Sequence, residues 1–299
     1  YNQKGETTRY AGLIVLETLW EIEEDPHHLY LSHHDREELY QILSNAASEV
    51  RAELSSLLET ITNNQWKDSD DPYYDFSTYL LTQSHNVSKI ICMFPHAILG
   101  IASMIWINDA NNYDEHEGYY GLNCEPGFGI REQYSNKDYS PEGAMQTPTY
   151  LLLCVEHVET IRFVVRFVNH CINYYANHTY SDSADELKQI ELHLQDGSTI
   201  RQWGSICLWG MYRGAVHYTM PYLLQSVHMA LEKFLLDAVK EQPSWVEPMI
   251  DYILRNSRSV SLTAVVSSVI MAYPERYYKY ALVLFDTIEF FHYDSIRLQ

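Results

Sequence analysis

The sequence predicts a mainly α-helical protein, an irregular helical-repeat array of the HEAT or TPR kind with one small β-hairpin near residues 189–203. In most of the chain, apolar residues recur every three or four positions, the spacing that lines one face of an α-helix. One short stretch instead alternates apolar and polar residues, as a hairpin does. These patterns indicate an N-terminal helical part (1–108), a long tyrosine-bearing loop (109–148) and a C-terminal helical array (149–299).

The N-terminal part begins with two predicted helices. The first covers about residues 9–24 and stops before Pro26, and its apolar face comprises Leu13, Leu16 and Trp20. The second starts after Ser32, because Asp35 three residues later can complete a capping box. It is predicted to run as one helix to Asn63. Its apolar stripe comprises Leu39, Ile42, Ala46, Val50, Leu54, Leu57 and Ile61.

Shorter helical segments are predicted for the rest of this part. Residues 65–86 are acidic and contain a short helix near Phe76–Thr82. Residues 87–94 and 96–107 form two apolar segments. They are separated at Pro95, because proline cannot make the backbone hydrogen bond that a continuous helix needs.

The stretch 109–148 has no apolar periodicity and is rich in Gly, Asn and Tyr. Loops of that length inside compact domains are usually functional or disordered. Aromatic side chains favour an ordered interaction loop, since tyrosine offers a large contact area with a polar tip. We therefore expect this loop to be an interaction site or a domain junction. The candidate partner-binding residues are its aromatic side chains: Tyr113, Tyr119, Tyr120, Phe128, Tyr134 and Tyr139.

The C-terminal array is predicted to open with one regular helix at 149–175. Its apolar stripe comprises Leu151, Cys154, Val158, Ile161, Val165, Val168 and Ile172, widened by Val164, Phe167 and Cys171. A helix that is apolar on more than one face is expected at the centre of its array. The hairpin follows, in which Ile190, Leu192 and Leu194 alternate with polar residues before a turn at Asp196-Gly197.

Four further helices are predicted to complete the array. Pro221 opens the first, whose inward face comprises Leu223, Val227, Leu231, Phe234 and Ala238. Helices at 247–255 and 261–272 follow, and the last covers 277–291 after a break at Pro274. Its inward stripe comprises Tyr277, Ala281, Leu284, Ile288 and Phe291. No repeat period is regular enough to name a repeat family.

Composition limits the kind of partner. The 299 residues include 40 acidic and 20 basic ones, a formal net charge of −20. Proteins bind phosphate backbones through basic faces, so we expect no nucleic acid as the main partner. No apolar run approaches the roughly 20 residues of a membrane-spanning helix, so no membrane partner is expected. The five cysteines lack the even count of a disulfide framework, which favours a reducing, cytoplasmic compartment.

The common catalytic and nucleotide-binding signatures are missing, among them GxxxxGK[ST], GxGxxG, HExxH, CxxC and GxSxG. We therefore expect no catalytic residue and no cofactor in this chain. The densest group of titratable side chains comprises His27, His28, His33, His34 and Asp35, a set that suits zinc or nickel if it converges. Adjacent histidines point apart on a helix, so the favoured interpretation is a solvated connection between helices.

Two smaller groups of residues have a functional and a structural interpretation. Glu156, His157 and Glu159 can supply an acid–base pair, but residues that border a core usually are half-exposed and bound by neighbours. Arg213 can bind a ligand carboxylate through two hydrogen bonds. An acidic partner within the chain is the simpler expectation for Arg213.

Four segments of the C-terminal array resemble the helical region of large bacterial STAND-type NTPases: Leu208–Gly214, Met229–Phe234, Ser259–Val266 and Ala272–Pro274. Those proteins are similar to NLR immune sensors and are associated with antiviral defence. In that family a P-loop NTPase lies beside helical repeats that recognise a foreign protein and trigger an effector. Because this chain has no Walker motif, the resemblance implies a non-catalytic helical portion and carries over no catalytic residue.

The resemblance implies a sensor or scaffold segment of a larger bacterial STAND-like NTPase, with a viral protein as partner and an oligomeric assembly as context. Partner binding then transmits a conformational change. The chain begins at Tyr1 and not at methionine, and we expect it to be a piece of a longer protein. The alternatives are an all-α metal-dependent hydrolase that uses the His27–Asp35 cluster, and a purely structural interaction subunit.

Overall fold

The computed structural model describes residues 2–24, 31–107, 128–131, 142–178, 186–213 and 220–297. Within these ranges the protein has fourteen α-helices, one short 3-10 helix and one two-stranded antiparallel sheet. The predicted fold class, mainly α with one small β-hairpin, is therefore confirmed.

The chain folds into two compact units, each with its own apolar core. Unit 1 comprises Tyr1–Trp106 and Met145–Glu156, and unit 2 comprises Ile107–Ala144 and His157–Gln299. The described helices of unit 1 are α1 (Asn2–Glu24), α2 (His33–Ala46), α3 (Arg51–Asn63), α4 (Tyr74–Thr82), α5 (Ser88–Met93), α6 (Pro95–Trp106) and α7 (Thr149–Val155).

Helix α6 is the apolar centre of unit 1. Both α3 and α4 pack against it, and most of its side chains from Ile98 to Trp106 are buried. The predicted break between α5 and α6 is confirmed, since α6 begins at Pro95. The predicted short helix near 76–82 is also present, as α4.

The single helix predicted over 32–63 is wrong, because the chain makes a turn between α2 and α3. Val50 precedes α3 with φ −114° and ψ 30°, which is not a helical conformation. The interruption changes the residues that face inward. Leu43 is buried in α2, whereas the predicted Ile42 is 41% exposed. Beyond the turn the predicted stripe is mostly buried, with Leu58 taking the place of Leu57.

The inward face predicted for α1 is also wrong. Trp20 is 58% exposed, and the buried apolar side chains of this helix are Val15, Leu19 and Ile22. Gly12 on that same face explains the difference. A Cβ atom on Gly12 would lie 2.8 Å from both Ala46 Cβ and Val50 Cγ1, so the missing side chain allows α1 to lie close to the end of α2.

Unit 2 is arranged around one buried helix, α12. Its described elements are α8 (His157–His178), β1 (Lys188–His193), β2 (Thr199–Gly204), α9 (Ile206–Gly210), a 3-10 helix (Met211–Arg213), α10 (Tyr222–Glu241), α11 (Pro243–Asn256), α12 (Val260–Ala272), α13 (Pro274–Phe285) and α14 (Ile288–Arg297). Every residue of α12 from Val260 to Ile270 is buried. Helices α9, α10, α11 and α13 all pack against it.

The helix predicted over 149–175 consists of two helices, α7 and α8. Glu156 separates them with φ −146° and ψ 63°, which interrupts the helical hydrogen bonds. The predicted apolar stripe is buried beyond the first turn of α8, whereas Cys154 and Val158 near the break are exposed. The chain passes from unit 1 to unit 2 at this break.

The predicted hairpin is confirmed. Strand β1 pairs with β2 in antiparallel register, with Ile190 opposite Gln202. Gly197 has a φ of +83°, so the Asp196-Gly197 turn uses the left-handed conformation that glycine favours. The hairpin packs closely, since a Cβ atom on Gly204 would lie 2.3 Å from Ile190 Cδ1.

The inward face predicted for the helix after Pro221 is confirmed, because all five of its predicted side chains are buried in α10. Among the described helices, none combines the length and the apolar character needed to cross a membrane.

Candidate functional site

Helices α9, α12, α13 and α14 of unit 2 enclose an apolar groove, which we call the aromatic groove. Its aromatic lining is Trp209, Phe285, Phe290 and Phe291, and α12 and α13 add Ile270, Met271 and Leu284. Trp209 of α9 is only 1% exposed and stacks on Phe290 of α14 with 4.6 Å between ring centroids. Its Nε1–H donates a hydrogen bond of 2.8 Å to Asp294 Oδ1, which satisfies the polar group of the indole.

Local sequence features hold Trp209 in place. Ser205 caps α9, because its hydroxyl oxygen accepts a hydrogen bond of 3.1 Å from the Leu208 amide. Helix α9 is short and packs on both α12 and α14. The indole is therefore fixed by contacts on both sides, and the groove is preformed.

The size of the aromatic groove limits what can occupy it. Its volume is about 80 Å³. Pockets for small molecules typically measure roughly 300–1,000 Å³. The groove therefore has room for about one apolar side chain and is smaller than a typical cofactor or metabolite site.

Large apolar side chains are exposed around the groove. We call them the apolar rim: Met271, Leu282, Phe285, Ile288 and Phe291, which are 52%, 62%, 63%, 77% and 49% exposed. Phe285 and Phe291 stack on each other with 5.6 Å between ring centroids. A cluster of exposed aromatic and aliphatic side chains on consecutive helices is typical of a protein-interaction site.

The apolar rim corrects the sequence prediction for 277–291. The prediction that 277–291 is one helix with a single inward apolar stripe is wrong, because the chain breaks at Asp286 between α13 and α14. The break shifts the phase of the apolar pattern. Ile288 and Phe291 are therefore exposed, and the buried aromatic side chains of the two helices are Tyr277, Phe290 and Tyr293.

Charges near the rim are mainly acidic on the side of α14. Asp286 is exposed between the two helices, and Asp294 lines the groove. Glu289 Oε1 lies 3.6 Å from Lys188 Nζ, and both side chains are partly exposed. The two basic residues of α13 lie in its first two turns, away from α14. A partner with basic residues at the edge of its contact face complements this arrangement.

Asp35 of the predicted metal cluster acts as a helix-capping residue. Its Oδ2 atom accepts hydrogen bonds from the Ser32 amide at 3.1 Å and from the Ser32 hydroxyl at 2.7 Å. The Asp35 amide donates to Ser32 Oγ in return, so the predicted capping box is confirmed. The hydrogen bonds from the Ser32 side chain and backbone lower the pKa of Asp35.

The histidines of that cluster do not form a site in the described part of the chain. His27 and His28 lie outside the described residues. His33 and His34 each lie near a glutamate one turn further along α2, with nitrogen–oxygen distances of 3.4 and 3.5 Å. No three His, Cys, Asp or Glu side chains among the described residues are placed to share a metal ion.

Most of the predicted partner-binding loop lies outside the described residues, including Tyr113, Tyr119, Tyr120, Tyr134 and Tyr139. Phe128 is described and is buried. Its ring is stacked on Tyr175 of α8, with 4.4 Å between centroids and 7° between planes. Phe128 thus has a packing contact within unit 2, and the binding role of the loop stays a prediction.

The residues near the start of α8 have partners within the chain. The His157 ring stacks on Trp245 at 4.8 Å and lies 6.4 Å from the Phe234 ring. Glu159 Oε1 lies 2.6 Å from the Arg162 guanidinium. Glu156 belongs to unit 1, whereas His157 belongs to unit 2. His157 and Glu159 are half-buried and bound by neighbours, as the structural interpretation predicts.

Arg213 has the acidic partner within the chain that the simpler expectation predicts. Its guanidinium lies 3.1 Å from Glu232 Oε1 and 4.9 Å from the centre of the Tyr212 ring. Glu232 is nearly buried and also accepts a hydrogen bond from the Ser268 hydroxyl. These contacts tie the 3-10 helix to α10 and α12.

A buried polar cluster surrounds His228, and the sequence pattern did not predict it. Its Nδ1 atom lies 2.6 Å from the Leu224 carbonyl oxygen, so this nitrogen carries the proton and donates it. The Nε2 atom then accepts the Ser261 hydroxyl at 2.8 Å, and the Ser261 oxygen accepts the Ser259 hydroxyl at 2.8 Å. The only sequence signal is that His228 follows Val227 within the apolar helix α10.

The His228–Ser261 pair has the geometry of a base beside a nucleophile. Both side chains are 0% exposed, however, so no substrate can reach the hydroxyl in this structure. Burial lowers the pKa of His228 to about 4, which keeps the imidazole neutral near pH 7. The pair therefore connects α10 to α12 and has a structural role.

The aromatic groove with its apolar rim is therefore the strongest candidate site among the described residues. Comparison with known families finds no family model that matches the chain, and comparison with curated proteins finds no match either.

Proposed function

We propose that this chain is a non-catalytic, protein-binding helical segment and that it holds its partner through the aromatic groove and the apolar rim of unit 2. The observation that carries the proposal is the exposure of Met271, Phe285 and Phe291 around a groove with a buried aromatic lining. Removing apolar surface from water on binding contributes roughly 25 cal/mol of favourable free energy per Å² of buried surface. A partner that covers the rim gains this free energy.

The resemblance to STAND-type NTPases supports a more specific proposal. The chain is then the sensor or scaffold segment of a bacterial, cytoplasmic antiviral NTPase assembly, and its partner is a viral protein. Two of the resembling segments lie at the groove, since Leu208–Gly214 contains Trp209 and Ala272–Pro274 directly follows Met271. Binding there favours one arrangement of the helices over another, and the NTPase chemistry belongs to another part of the assembly.

Charge supports a basic partner over a second copy of this chain. The formal net charge is −20, so two copies repel each other as they approach. The acidic residues on the α14 side of the rim add to this repulsion. A partner with an apolar contact face and basic residues at its edge is attracted to the same surface.

A binding experiment with a panel of purified phage proteins tests the proposal. The double variant Phe285→Ser/Phe291→Ser removes two rings of the apolar rim. The matched control, Ile14→Ser/Trp20→Ser, removes two side chains of unit 1 that are 62% and 58% exposed. We expect the partner that binds the wild type to bind the rim variant at least about 30-fold more weakly, because even one central interface side chain contributes about 2 kcal/mol.

Equal binding by the rim variant and the control would contradict the proposed surface. A third variant, Tyr119→Ala/Tyr120→Ala, tests the loop that the sequence predicts as the binding site. Loss of binding in this variant alone would move the site from the groove to the loop. Circular dichroism of each variant confirms that the helices have formed.

A further inference from the structure

Two cysteine side chains of unit 1 reach the surface on neighbouring helices. Cys92 lies on α5 and Cys154 lies on α7, and both are exposed. The other two described cysteines, Cys171 and Cys207, are buried in unit 2. Reagents in solution can therefore reach the first pair and not the second.

The helices that carry Cys92 and Cys154 are short and pack against each other. Helix α5 has 6 residues and α7 has 7. At about 1.5 Å per residue, each helix is only roughly 10 Å long. Burial raises the pKa of the Cys92 thiol, and the charge of the Cys154 thiolate raises it further. The packing of α5 against α7 puts the two cysteines on neighbouring helices, and this electrostatic effect agrees with that placement.

We propose that Cys92 and Cys154 are a thiol modification site, at which exchange with a low-molecular-weight disulfide such as oxidised glutathione forms a reversible disulfide bond. A disulfide joins Cα atoms that are roughly 4.4–6.8 Å apart, so formation of the bond requires the contact between α5 and α7 to bring Cys92 and Cys154 to that separation. This site does not depend on the proposed partner-binding surface, which lies in unit 2.

The exchange proceeds in two balanced steps. One cysteine thiolate attacks a sulfur atom of oxidised glutathione, which forms a mixed disulfide and releases one glutathione thiolate. The second cysteine then attacks the protein sulfur of the mixed disulfide and releases the second glutathione. The two protein thiols lose two electrons and two protons in total. One glutathione disulfide gains them and becomes two glutathione thiols.

The bond has a defined structural effect. It joins residues that are far apart in the sequence, so it restricts the unfolded chain and stabilises unit 1. It also fixes α7, which lies directly before the break at Glu156 where the chain enters unit 2. Under reducing conditions the two thiols separate again, and the covalent link between α5 and α7 is lost.

Mass spectrometry of the glutathione-treated protein tests the proposal. All proteins carry Cys124→Ser, since Cys124 lies outside the described residues. After treatment with oxidised glutathione and capping of remaining thiols, we expect the intact mass to fall by two hydrogen atoms. Digestion without reductant yields a peptide pair that links Cys92 to Cys154. Cys92→Ser and Cys154→Ser each retain one glutathione, because the second thiol is missing.

The control variant Cys171→Ser/Cys207→Ser is expected to form the same link in the same yield. Oxidation raises the Tm of the protein with both exposed cysteines and leaves the Tm of Cys92→Ser unchanged. Two glutathione adducts on Cys92 and Cys154 with no link between them would overturn the proposal. A lack of reaction at either thiol, or a link to a buried cysteine under native conditions, would overturn it as well.

Discussion

At the residue scale, the buried His228 makes the stability of the protein depend on pH. Burial lowers its pKa to about 4, from 6.5 in the unfolded chain. Between these pH values the unfolded state binds a proton and the folded state does not. The contribution of His228 to the free energy of unfolding is therefore fully present above pH 6.5, and it is lost progressively as the pH falls towards 4. The full effect is about 3 kcal/mol, at about 1.4 kcal/mol per pH unit.

Urea unfolding of the wild type and of His228→Gln across this pH range measures the effect. We expect the variant to be less stable at pH 7. The difference in free energy of unfolding between the two proteins decreases by about 1.4 kcal/mol for each pH unit below 6.5. His193→Gln changes an exposed histidine and serves as the control. A difference that stays constant down to pH 4.5 would show that His228 titrates as it does in the unfolded chain.

At the element scale, the contact of α1 with α2 depends on Gly12. In Gly12→Ala the added Cβ would lie 2.8 Å from Ala46 Cβ and from Val50 Cγ1, so the helices must move apart or side chains must shift. Such overpacking costs about 1–3 kcal/mol. Gly5→Ala is the matched control in the same helix, because no atom lies within 4 Å of its added Cβ.

Thermal or urea unfolding compares the two glycine variants. Replacing glycine by alanine within a helix stabilises the helix by up to about 1 kcal/mol, so we expect Gly5→Ala to raise the free energy of unfolding by up to that amount. Gly12→Ala has the same favourable change in helix propensity, but overpacking against α2 lowers its free energy of unfolding by more. We therefore expect Gly12→Ala to be the less stable of the two variants. If the two variants were equally stable, α1 would not pack through Gly12.

Most of the helices were predictable from the sequence, but three of the breaks between them were not. Breaks that a proline marks were predicted, at Pro95 and at Pro274. The breaks at Val50, Glu156 and Asp286 were missed. No proline or glycine marks them, and the apolar spacing continues across each one. Tertiary packing determines these breaks, so a local pattern cannot locate them.

The missed breaks also explain why the candidate site was not predicted. Ile288 and Phe291 fit an inward stripe as long as 277–291 is one helix, and they form part of the rim only because the chain breaks at Asp286. Contacts between residues that are distant in the sequence could not be predicted either, because they depend on how the helices pack. Trp209 meets Asp294, and His228 meets Ser261, only after several helices have packed together.

At the scale of the whole molecule, excess negative charge opposes folding. The chain has 40 acidic and 20 basic residues. Many described ion pairs lie at the surface, such as Arg201–Glu191 at 3.0 Å and Lys233–Asp237 at 2.8 Å. A surface pair of this kind contributes only about 0–1 kcal/mol. Acidic residues without a basic counterpart repel one another over longer distances, and folding brings them closer together.

Salt should therefore stabilise this protein. Raising NaCl from about 0.01 to 0.15 M shortens the Debye length from about 30 to 8 Å, which screens repulsion between distant carboxylates more than attraction within contact pairs. We expect the Tm to rise by roughly 2–4 °C for each kcal/mol of repulsion that is removed. Asp70→Asn/Glu241→Gln removes two exposed charges, so its Tm at low salt should be higher and its salt dependence smaller. A Tm that falls as NaCl is added would mean that the ion pairs stabilise the fold more than the excess of acidic residues destabilises it.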